Sequence, residues 1–342
     1  MSGRSGKTMN FGLDVGTKNI VLSWRDEHNK MKHRSDVNGF CVLKSGDAFA
    51  RTLLKQQHIP FLEREDRLIA LGQKAEELAY ALNQTLQRPM SEGVINGDEE
   101  EALMIMSAVI KSLLRDVGND ADAVLYYCIP GNALNKKLNV GYHQKIVQLI
   151  IDDKAKKMTT RSINEARALI LGGVEDKTGV GISWGAGMVN VSYCLFGLSI
   201  FEFALVGSGD WIDQETARVV KNETPTSVCK HKENRLKNKR FNLKKMPEDN
   251  VGRALYINYG LLMENVLQGI AEGFKRNEDK ARIERPIPII VSGGTSSPDG
   301  FIEYFKTMLK KIEMPFEIND VIRAHPLHAV ADGCLVAAEM HQ

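Results

Sequence analysis

Short apolar runs rich in β-branched and aromatic residues recur along the chain and predict β-strands. They cover residues 11–15, 20–24, 124–129, 180–184, 189–195, 199–205 and 287–291. Between them, apolar positions recur at helical spacing and predict helices over 73–82, 98–114, 143–151, 164–170, 211–220, 253–274 and 327–340. This mixture predicts an α/β fold whose sheets are covered by helices. The three strands after Gly179 predict an antiparallel meander, and a half made of three strands and then a helix is expected twice.

Two stretches interrupt this organisation and predict smaller insertions. Residues 36–88 are less regular, and residues 221–249 carry a basic run between Lys230 and Lys245. A solvated helix face with a loop is the ordinary interpretation of such a run. The alternative is an acidic partner: a neighbouring subunit, polyphosphate or nucleic acid. Because Phe241 is the aromatic residue that accompanies these charges, single-stranded nucleic acid is disfavoured and no nucleic acid is required.

Composition is typical of a globular protein and adds little that is specific. Of 342 residues, 43% are hydrophobic and 26% charged, and 45 basic residues nearly balance 43 acidic ones. The five cysteines, without Cys-x-x-Cys spacing, predict reduced thiols rather than disulfides or a metal site. No apolar run approaches the roughly 20 residues that span a bilayer, and residues 1–8 form neither a signal peptide nor an amphipathic anchor. We therefore expect a soluble cytoplasmic protein without a direct membrane anchor.

The first strand runs into a turn suited to a phosphate and a metal ion. Asp14 ends the strand, and Gly16, Thr17 and Lys18 follow. Gly16 permits close backbone approach, and successive amides of a tight turn bind anions. Asp14 could hold Mg²⁺ through water, because this ion keeps several waters and takes few carboxylates. By itself the turn is equally compatible with an ordinary hairpin.

Two further turns of this kind strengthen the interpretation. Gly185-Ala186-Gly187-Met188 lies between two predicted strands, and Gly293-Gly294-Thr295 follows the strand that ends at Val291. Pro298 then resembles the first residue of a helix, whose N-terminus beside the glycines would favour a nucleotide.

With these three motifs in order, the chain resembles the superfamily of actin, heat-shock ATPases and sugar kinases, and within it the bacterial actins of the MreB and MamK type. The resemblance covers nearly the whole chain. It includes the two phosphate loops (11–18 and 180–188), the adenosine motif (291–296), the starts of two connecting helices (162–168 and 329–334), the segment 88–95 and the loop 206–213.

The resemblance implies an actin-like fold, with two ribonuclease-H-like domains around a nucleotide cleft, each carrying a smaller subdomain. The expected boundaries are 1–35, 89–176 and 326–342 for the first core; 36–88 for its subdomain; 177–211 and 250–325 for the second core; and 212–249 for its subdomain. ATP and Mg²⁺ are the implied cofactors. The implied nucleotide-binding residues are Gly16, Thr17, Lys18, Gly185, Ala186, Gly187, Met188, Gly207, Ser208, Gly209, Asp210, Lys230, Gly293, Gly294 and Thr295.

Glu165 matches the position that orients the attacking water in this superfamily, which implies a catalytic role beside Asp14. An alternative follows from spacing alone: Ser162 and Glu165 have the separation of a helix capping box. The two roles are compatible, because both need the carboxylate at the start of the helix.

Two positions depart from the superfamily pattern. Ser183 stands where the second phosphate loop normally begins with Asp. A neutral hydroxyl at this candidate metal position is expected to weaken metal binding, shift the position of the metal or slow hydrolysis. Lys230 matches a lysine near the adenosine, but Lys232 occupies the position of the ribose-contacting glutamate, with Glu233 alongside. The sequence leaves open which of the two faces the ribose.

The leading functional hypothesis is a filament-forming ATPase whose partner is a second copy of itself; the sequence identifies no cargo or adaptor protein. The competing hypothesis, motivated by Ser183, is an actin-like adaptor that uses nucleotide as a clamp with little or no hydrolysis. Phosphotransfer to a small molecule is disfavoured, since no acceptor-site base is evident beyond Glu165.

Overall fold

A computed structural model describes residues 9–44, 48–82, 84–115, 117, 121–238, 240–280 and 283–341. Its strands, β1 to β15, are Phe11–Val15, Asn19–Arg25, Met31–Val37, Phe40–Lys44, Phe61–Arg64, Arg67–Leu71, Met90–Ser91, Val94–Ile95, Val124–Ile129, Thr159–Asn164, Gly179–Trp184, Met188–Leu195, Leu198–Val206, Ile287–Ser292 and Ile318–Arg323. Its helices, α1 to α10, are Ala48–Gln56, Gly72–Ala81, Ala102–Leu113, Val140–Lys154, Glu165–Gly173, Gly209–Val219, Pro225–Lys237, Asn250–Lys275, Phe301–Leu309 and Ala329–Met340.

The strands form two five-stranded sheets with the same topology. The first has the order β3-β2-β1-β9-β10 and the second β13-β12-β11-β14-β15. In each, the first three strands are antiparallel neighbours and the last two join in parallel. The predicted α/β class and the meander after Gly179 are therefore confirmed, and the repeated half is visible as two copies of one sheet.

Helices cover both sheets and meet between them. The first sheet shares its core with α3 and α4, and the second with α6, α8 and α9. A separate apolar cluster joins α5 and α10 with residues of both sheets. This cluster is where the two halves of the molecule are held together.

The contact between α5 and α10 is made at glycine residues, where no side chain separates the two helices. A Cβ on Gly333 would lie 1.9 Å from the Ala168 carbonyl oxygen, and one on Gly172 would lie 3.1 Å from the Gly333 Cα. Each half also brings a strand glycine against one of these helices: Gly12 faces Ala331 of α10, and Gly181 faces Ala166 of α5. The two helices therefore pack backbone to backbone.

The two predicted insertions have regular structure. Residues 36–88 contain the three-stranded sheet β4-β6-β5 with α1 and α2, so this segment is more regular than its sequence suggested. The basic segment contains α7, which begins at a capping box between Thr224 and Ser227 with Pro225 in its first turn. The predicted domain boundaries themselves stay predictions.

Two local expectations are wrong. Ser162 does not cap a helix, because it lies within β10; α5 is capped instead by Asn164, whose side chain accepts from the Ala166 amide at 2.8 Å. Pro298 does not begin a helix: the chain forms a 3₁₀ turn at Gly294–Ser296, and α9 starts at Phe301 after the positive-φ residue Gly300.

The expectations for the membrane and for the basic segment are addressed in part by the described residues. None of the helices in the described ranges is long and apolar enough to cross a bilayer. Residues 1–8 and Lys239, which belong to the sequence expectations above, lie outside the described residues.

Candidate nucleotide site

The first predicted phosphate loop is a tight turn between β1 and β2. The Gly16 amide donates to the Asn19 carbonyl at 3.1 Å, and the Gly16 carbonyl accepts from the buried Asn38 side chain at 3.0 Å. A Cβ on Gly16 would lie 2.7 Å from the Asn19 carbonyl oxygen. Thr17, in the same turn, is buried. The turn therefore requires glycine for its own closure.

The second predicted loop repeats this turn between β11 and β12. The Gly185 amide donates to the Met188 carbonyl at 3.0 Å, as Gly16 does to Asn19. In the strand register, Asp14 lies opposite Val21 and Ser183 lies opposite Asn190, each one pair before the turn. Ser183 is thus the structural equivalent of Asp14, as the sequence comparison of the two motifs implied.

Carbonyls of the second loop hold two other predicted segments in place. The Gly185 carbonyl accepts from the Ser208 and Thr295 hydroxyls, both at 2.7 Å. The Ala186 carbonyl accepts from the Asp210 amide at 2.8 Å, and the Gly187 carbonyl from the Gly207 amide at 3.3 Å. The loop, the start of α6 and the third glycine motif therefore form one unit.

Close backbone packing completes this unit. A Cβ on Gly293, whose φ is 101°, would lie 2.2 Å from the Trp184 carbonyl oxygen. A Cβ on Gly187 would lie 2.5 Å from the Gly93 amide nitrogen, in the turn between β7 and β8. The second loop therefore touches the first half of the molecule directly, and Met188 packs on the same turn.

Two carboxylates and a thiol face one another between the loops. One ligand atom each from Asp14, Cys128 and Glu165 lie within 4.8 Å of one another. The Cys128 thiol donates to Asp14 at 2.9 Å, and the Ser183 hydroxyl donates to Glu165 at 3.0 Å. Asp14 is the penultimate residue of β1 and Glu165 is the first residue of α5, so the fold brings together acids separated by 151 positions.

Burial shifts the acid–base behaviour of all three groups. It raises the pKa of Asp14, against the lowering effect of the Cys128 hydrogen bond. It also raises the pKa of Glu165, which the nearby Asp14 charge raises further, while Ser183 and Asn190 lower it. Burial and the two carboxylates raise the pKa of the Cys128 thiol well above its usual value. Two like charges so close together in a dry site cannot both be ionised without a compensating cation.

The donor set fits Mg²⁺ in part. This ion prefers oxygen ligands and few carboxylates, which Asp14 and Glu165 provide. The thiol of Cys128 stays protonated and serves instead as a hydrogen-bond donor to Asp14. Ser183 is engaged with Glu165, so its hydroxyl supports that carboxylate in this structure.

Ion pairs cross the cleft beyond the loops. Lys18 pairs with Glu233 of α7 and lies 3.6 Å from Glu76 of α2. Arg88 donates to Asp210 at 2.6 Å. These pairs join the first half of the chain to α6 and α7 of the second half. Glu76, Arg88 and Asp210 border a cavity of about 230 Å³.

The structure places the side chains of Lys232 and Glu233, two neighbouring residues of α7, in different surroundings. Lys232 is buried and donates to Asp213 at 2.6 Å, whereas Glu233 reaches the cleft and meets Lys18. Lys230 lies farther out, 5.6 Å from the centre of the Tyr80 ring. Glu233, rather than Lys232, therefore faces the cleft.

Most of the predicted site residues lie around the two acids or in the loops beside them, and Lys230 lies farther out. Asp14, Glu165 and Ser183 lie close together, and the loops Gly16 to Lys18 and Gly185 to Met188 follow the strands that carry Asp14 and Ser183. Gly207 to Asp210 and Thr295 form hydrogen bonds with the second loop. Gly293 packs against the Trp184 backbone, Gly294 begins the 3₁₀ turn that follows, and Lys230 lines the outer cavity. Sequence reasoning missed Cys128 and Asn190. For Cys128, the available signal was the Pro130-Gly131 turn that directly follows a buried strand.

Comparisons with known proteins agree with this architecture. The sequence model of the family described as Volactin matches residues 9–338. No curated protein sequence matches the chain. Solved structures do: a MamK double helical filament (15% identity, 98% of this chain and 99% of that chain, TM-score 0.67), MreB5 of Spiroplasma citri bound to ADP (14%, 98% and 97%, 0.64), and the ethanolamine utilization protein EutJ from Carboxydothermus hydrogenoformans (15%, 98% and 92%, 0.57).

These likenesses confirm the actin-like α/β fold over the full length. At such identity they show the fold alone, so the expected MreB or MamK type is supported only as far as that fold.

Proposed function

Because the chain belongs to the Volactin family, an actin-like group, we propose that it is an ATP-binding actin homologue that polymerises into cytoskeletal filaments in the cytoplasm and slowly hydrolyses ATP. One observation carries the proposal: the Glu165 carboxylate lies between two equivalent glycine turns, beside Asp14 and 3.0 Å from Ser183. Glycine turns provide backbone amides for phosphates, and a carboxylate between them is placed to orient a water.

In this proposal the two loops bind the phosphates from opposite sides, and Lys18 adds a cation once it leaves Glu233. Glu165 would take a proton from the water that attacks the terminal phosphorus, as the bond from that phosphorus to the ADP oxygen breaks and ADP leaves. Asp14 would hold Mg²⁺ through water. When bound, Mg²⁺ neutralises negative charge at the phosphates and offsets the repulsion between the two carboxylates. Slow turnover is expected because Ser183 contributes a neutral hydroxyl where its equivalent in the first loop, Asp14, contributes a charge.

Self-association is the least direct part of the proposal. It is supported by the likeness to a MamK double helical filament over 98% of the chain. A second copy of the chain is therefore the proposed partner, and the cytoskeletal location follows from the same argument.

The experiment combines phosphate release, sedimentation and electron microscopy with Mg-ATP. Glu165→Gln should retain nucleotide binding and slow hydrolysis by about 100-fold or more, since positioned acid–base groups contribute about that much. Glu175→Gln, an exposed change ten residues along the chain, is the matched control. A wild-type protein that stays monomeric with Mg-ATP across salt and protein concentration would refute the filament proposal.

A second candidate is a nucleotide-dependent clamp or adaptor with little or no hydrolysis. The raised pKa of Glu165 together with the neutral Ser183 favours it, because a protonated carboxyl cannot take a proton from water. ATP-dependent protection from proteolysis without phosphate release would support the clamp. Phosphate release that disappears in Glu165→Gln would exclude it.

A further inference from the structure

Asn38 lies directly against the first phosphate loop but is not one of the residues that the proposed function uses. It is fully buried in the two-residue link between β3, of the first five-stranded sheet, and β4, of the small sheet β4-β6-β5. Its side-chain amide donates to the Gly16 carbonyl at 3.0 Å, and its backbone amide donates to the Lys18 carbonyl at 2.8 Å. One residue therefore holds both ends of the turn Gly16-Thr17-Lys18.

The second phosphate loop is held at the two equivalent carbonyls, but by other groups. The Gly185 carbonyl, which corresponds to that of Gly16, accepts from two side-chain hydroxyls. The Gly187 carbonyl, which corresponds to that of Lys18, accepts from a backbone amide. In the first loop, Asn38 supplies both kinds of donor, so the two loops are fixed at the same points by different parts of the chain.

The carbonyls of the turn determine where its amides point. In a planar trans peptide the carbonyl and the N–H point in opposite directions, so a hydrogen bond to the Gly16 carbonyl directs the Thr17 amide away from Asn38. The amides of Thr17 and Lys18 donate to no acceptor among the described residues. Two adjacent amides that lack protein acceptors, in a turn whose carbonyls are fixed, are suited to bind an anion.

The Asn38 side chain does not gain all the hydrogen bonds that an amide can make. Its oxygen is buried and accepts none from the described residues, and the second contact of its nitrogen is to the Met90 sulfur, a weak acceptor, at 3.2 Å. A buried polar atom without a partner destabilises the folded state. Because an apolar side chain would avoid that loss, the amide is explained by the carbonyl that its nitrogen holds.

We propose that Asn38 is a positioning residue for nucleotide binding: it fixes the carbonyls of Gly16 and Lys18 so that the amides of the first loop face the phosphates. The inference rests on the proposed function and deepens it, because it assigns part of the affinity for phosphate oxygens to a side chain outside the loop. Asn38 itself does not touch the nucleotide. Its loss should therefore weaken the binding of phosphates and leave the binding of adenosine unchanged.

Two variants remove the side-chain donor in different ways. Asn38→Ala deletes it, whereas Asn38→Leu replaces the amide by an apolar group of similar branching, which also removes the unpaired oxygen. Dissociation constants for a non-hydrolysable ATP analogue and for adenosine are measured by competition with a fluorescent ATP derivative. We expect both variants to bind the analogue about 5- to 10-fold more weakly, the effect of about one hydrogen bond. Adenosine should bind within about two-fold of wild type.

Asn139→Ala is the matched control, because it also removes a hydrogen bond between an asparagine side chain and the backbone, at the start of α4. It should bind both ligands as wild type does. The proposal is overturned if either Asn38 variant binds the analogue as tightly as wild type. It is also overturned if adenosine binding weakens by the same factor, since that result indicates a general structural role. A wild-type protein that binds no adenine nucleotide would instead refute the proposed function, and this inference with it.

Discussion

Replacing Gly333 by alanine should destabilise the protein at the junction of its two halves. The new Cβ would lie 1.9 Å from the Ala168 carbonyl oxygen and 2.4 Å from its carbonyl carbon. Real Cβ contacts are almost never shorter than 3.0 Å, so the backbones of α5 and α10 must separate by about 1 Å. Since both sides of the contact are helical backbone, no side chain can rotate away to relieve it.

The magnitude follows from two opposing terms. Overpacking of this kind costs about 1–3 kcal/mol, and a backbone contact belongs at the upper end. Alanine recovers up to about 1 kcal/mol of helix propensity relative to glycine. The expected net loss is therefore about 1–2 kcal/mol. Because Glu165 begins α5, the same displacement should also slow ATP hydrolysis.

Urea denaturation followed by circular dichroism measures the stability, with Gly141→Ala as the control. Gly141 is exposed in the first turn of α4, and a Cβ there would meet nothing within 4 Å. That variant should be equally stable or more stable, by up to about 1 kcal/mol. If Gly333→Ala matches or exceeds wild-type stability, the argument that backbone contact holds these helices together is refuted.

Two further substitutions test buried polar groups. His143 is fully buried, its ring nitrogens have no partner among the described residues, and burial lowers its pKa to about 4. Below pH 6.5 the unfolded chain binds a proton at His143 that the folded chain does not bind, so the free energy of unfolding should fall by up to about 3 kcal/mol as pH falls towards 4. His143→Leu should make the free energy of unfolding depend less on pH between 7.5 and 5. An unchanged difference between these two pH values would contradict the assignment. Asp213→Asn leaves the Lys232 cation buried and should cost about 3–5 kcal/mol in urea denaturation, whereas Glu215→Gln, at an exposed pair with Arg218, should cost less than about 0.5 kcal/mol.

The strongly patterned elements were predictable from sequence, and polar edge strands were not. Residues 11–15 and 180–184 are apolar strands at the centre of their sheets, where burial dictates the pattern. By contrast, β3 (Met31–Val37) alternates little and is mostly polar, because it lies at an edge and has one strand neighbour. Its strand conformation comes from pairing with β2, which local propensity does not encode.

In the candidate site, too, some residues could be predicted from the sequence and others could not. Asp14, Glu165 and Ser183 could be named from motifs, since each lies at the end of an element beside a glycine turn or a helix start. Asn190 could not be named, because its effect on Glu165 depends on two relations in space. It lies opposite Ser183 in the strand register, and its side-chain oxygen accepts from the Gly131 amide, 59 positions away. Such relations exist only once both sheets have formed.

The pairing of residues 132–135 with β13 has a consequence for self-assembly. An open edge strand can recruit another chain by sheet extension. On the second sheet, this segment covers the end of one edge strand, at Ala204 and Val206 of β13, and the other edge strand, β15, exposes Asn319, Asp320 and Arg323. Polar and charged edges resist such recruitment, so contacts between copies of this chain should be made by side-chain surfaces of folded subunits, which can separate again without unravelling a sheet.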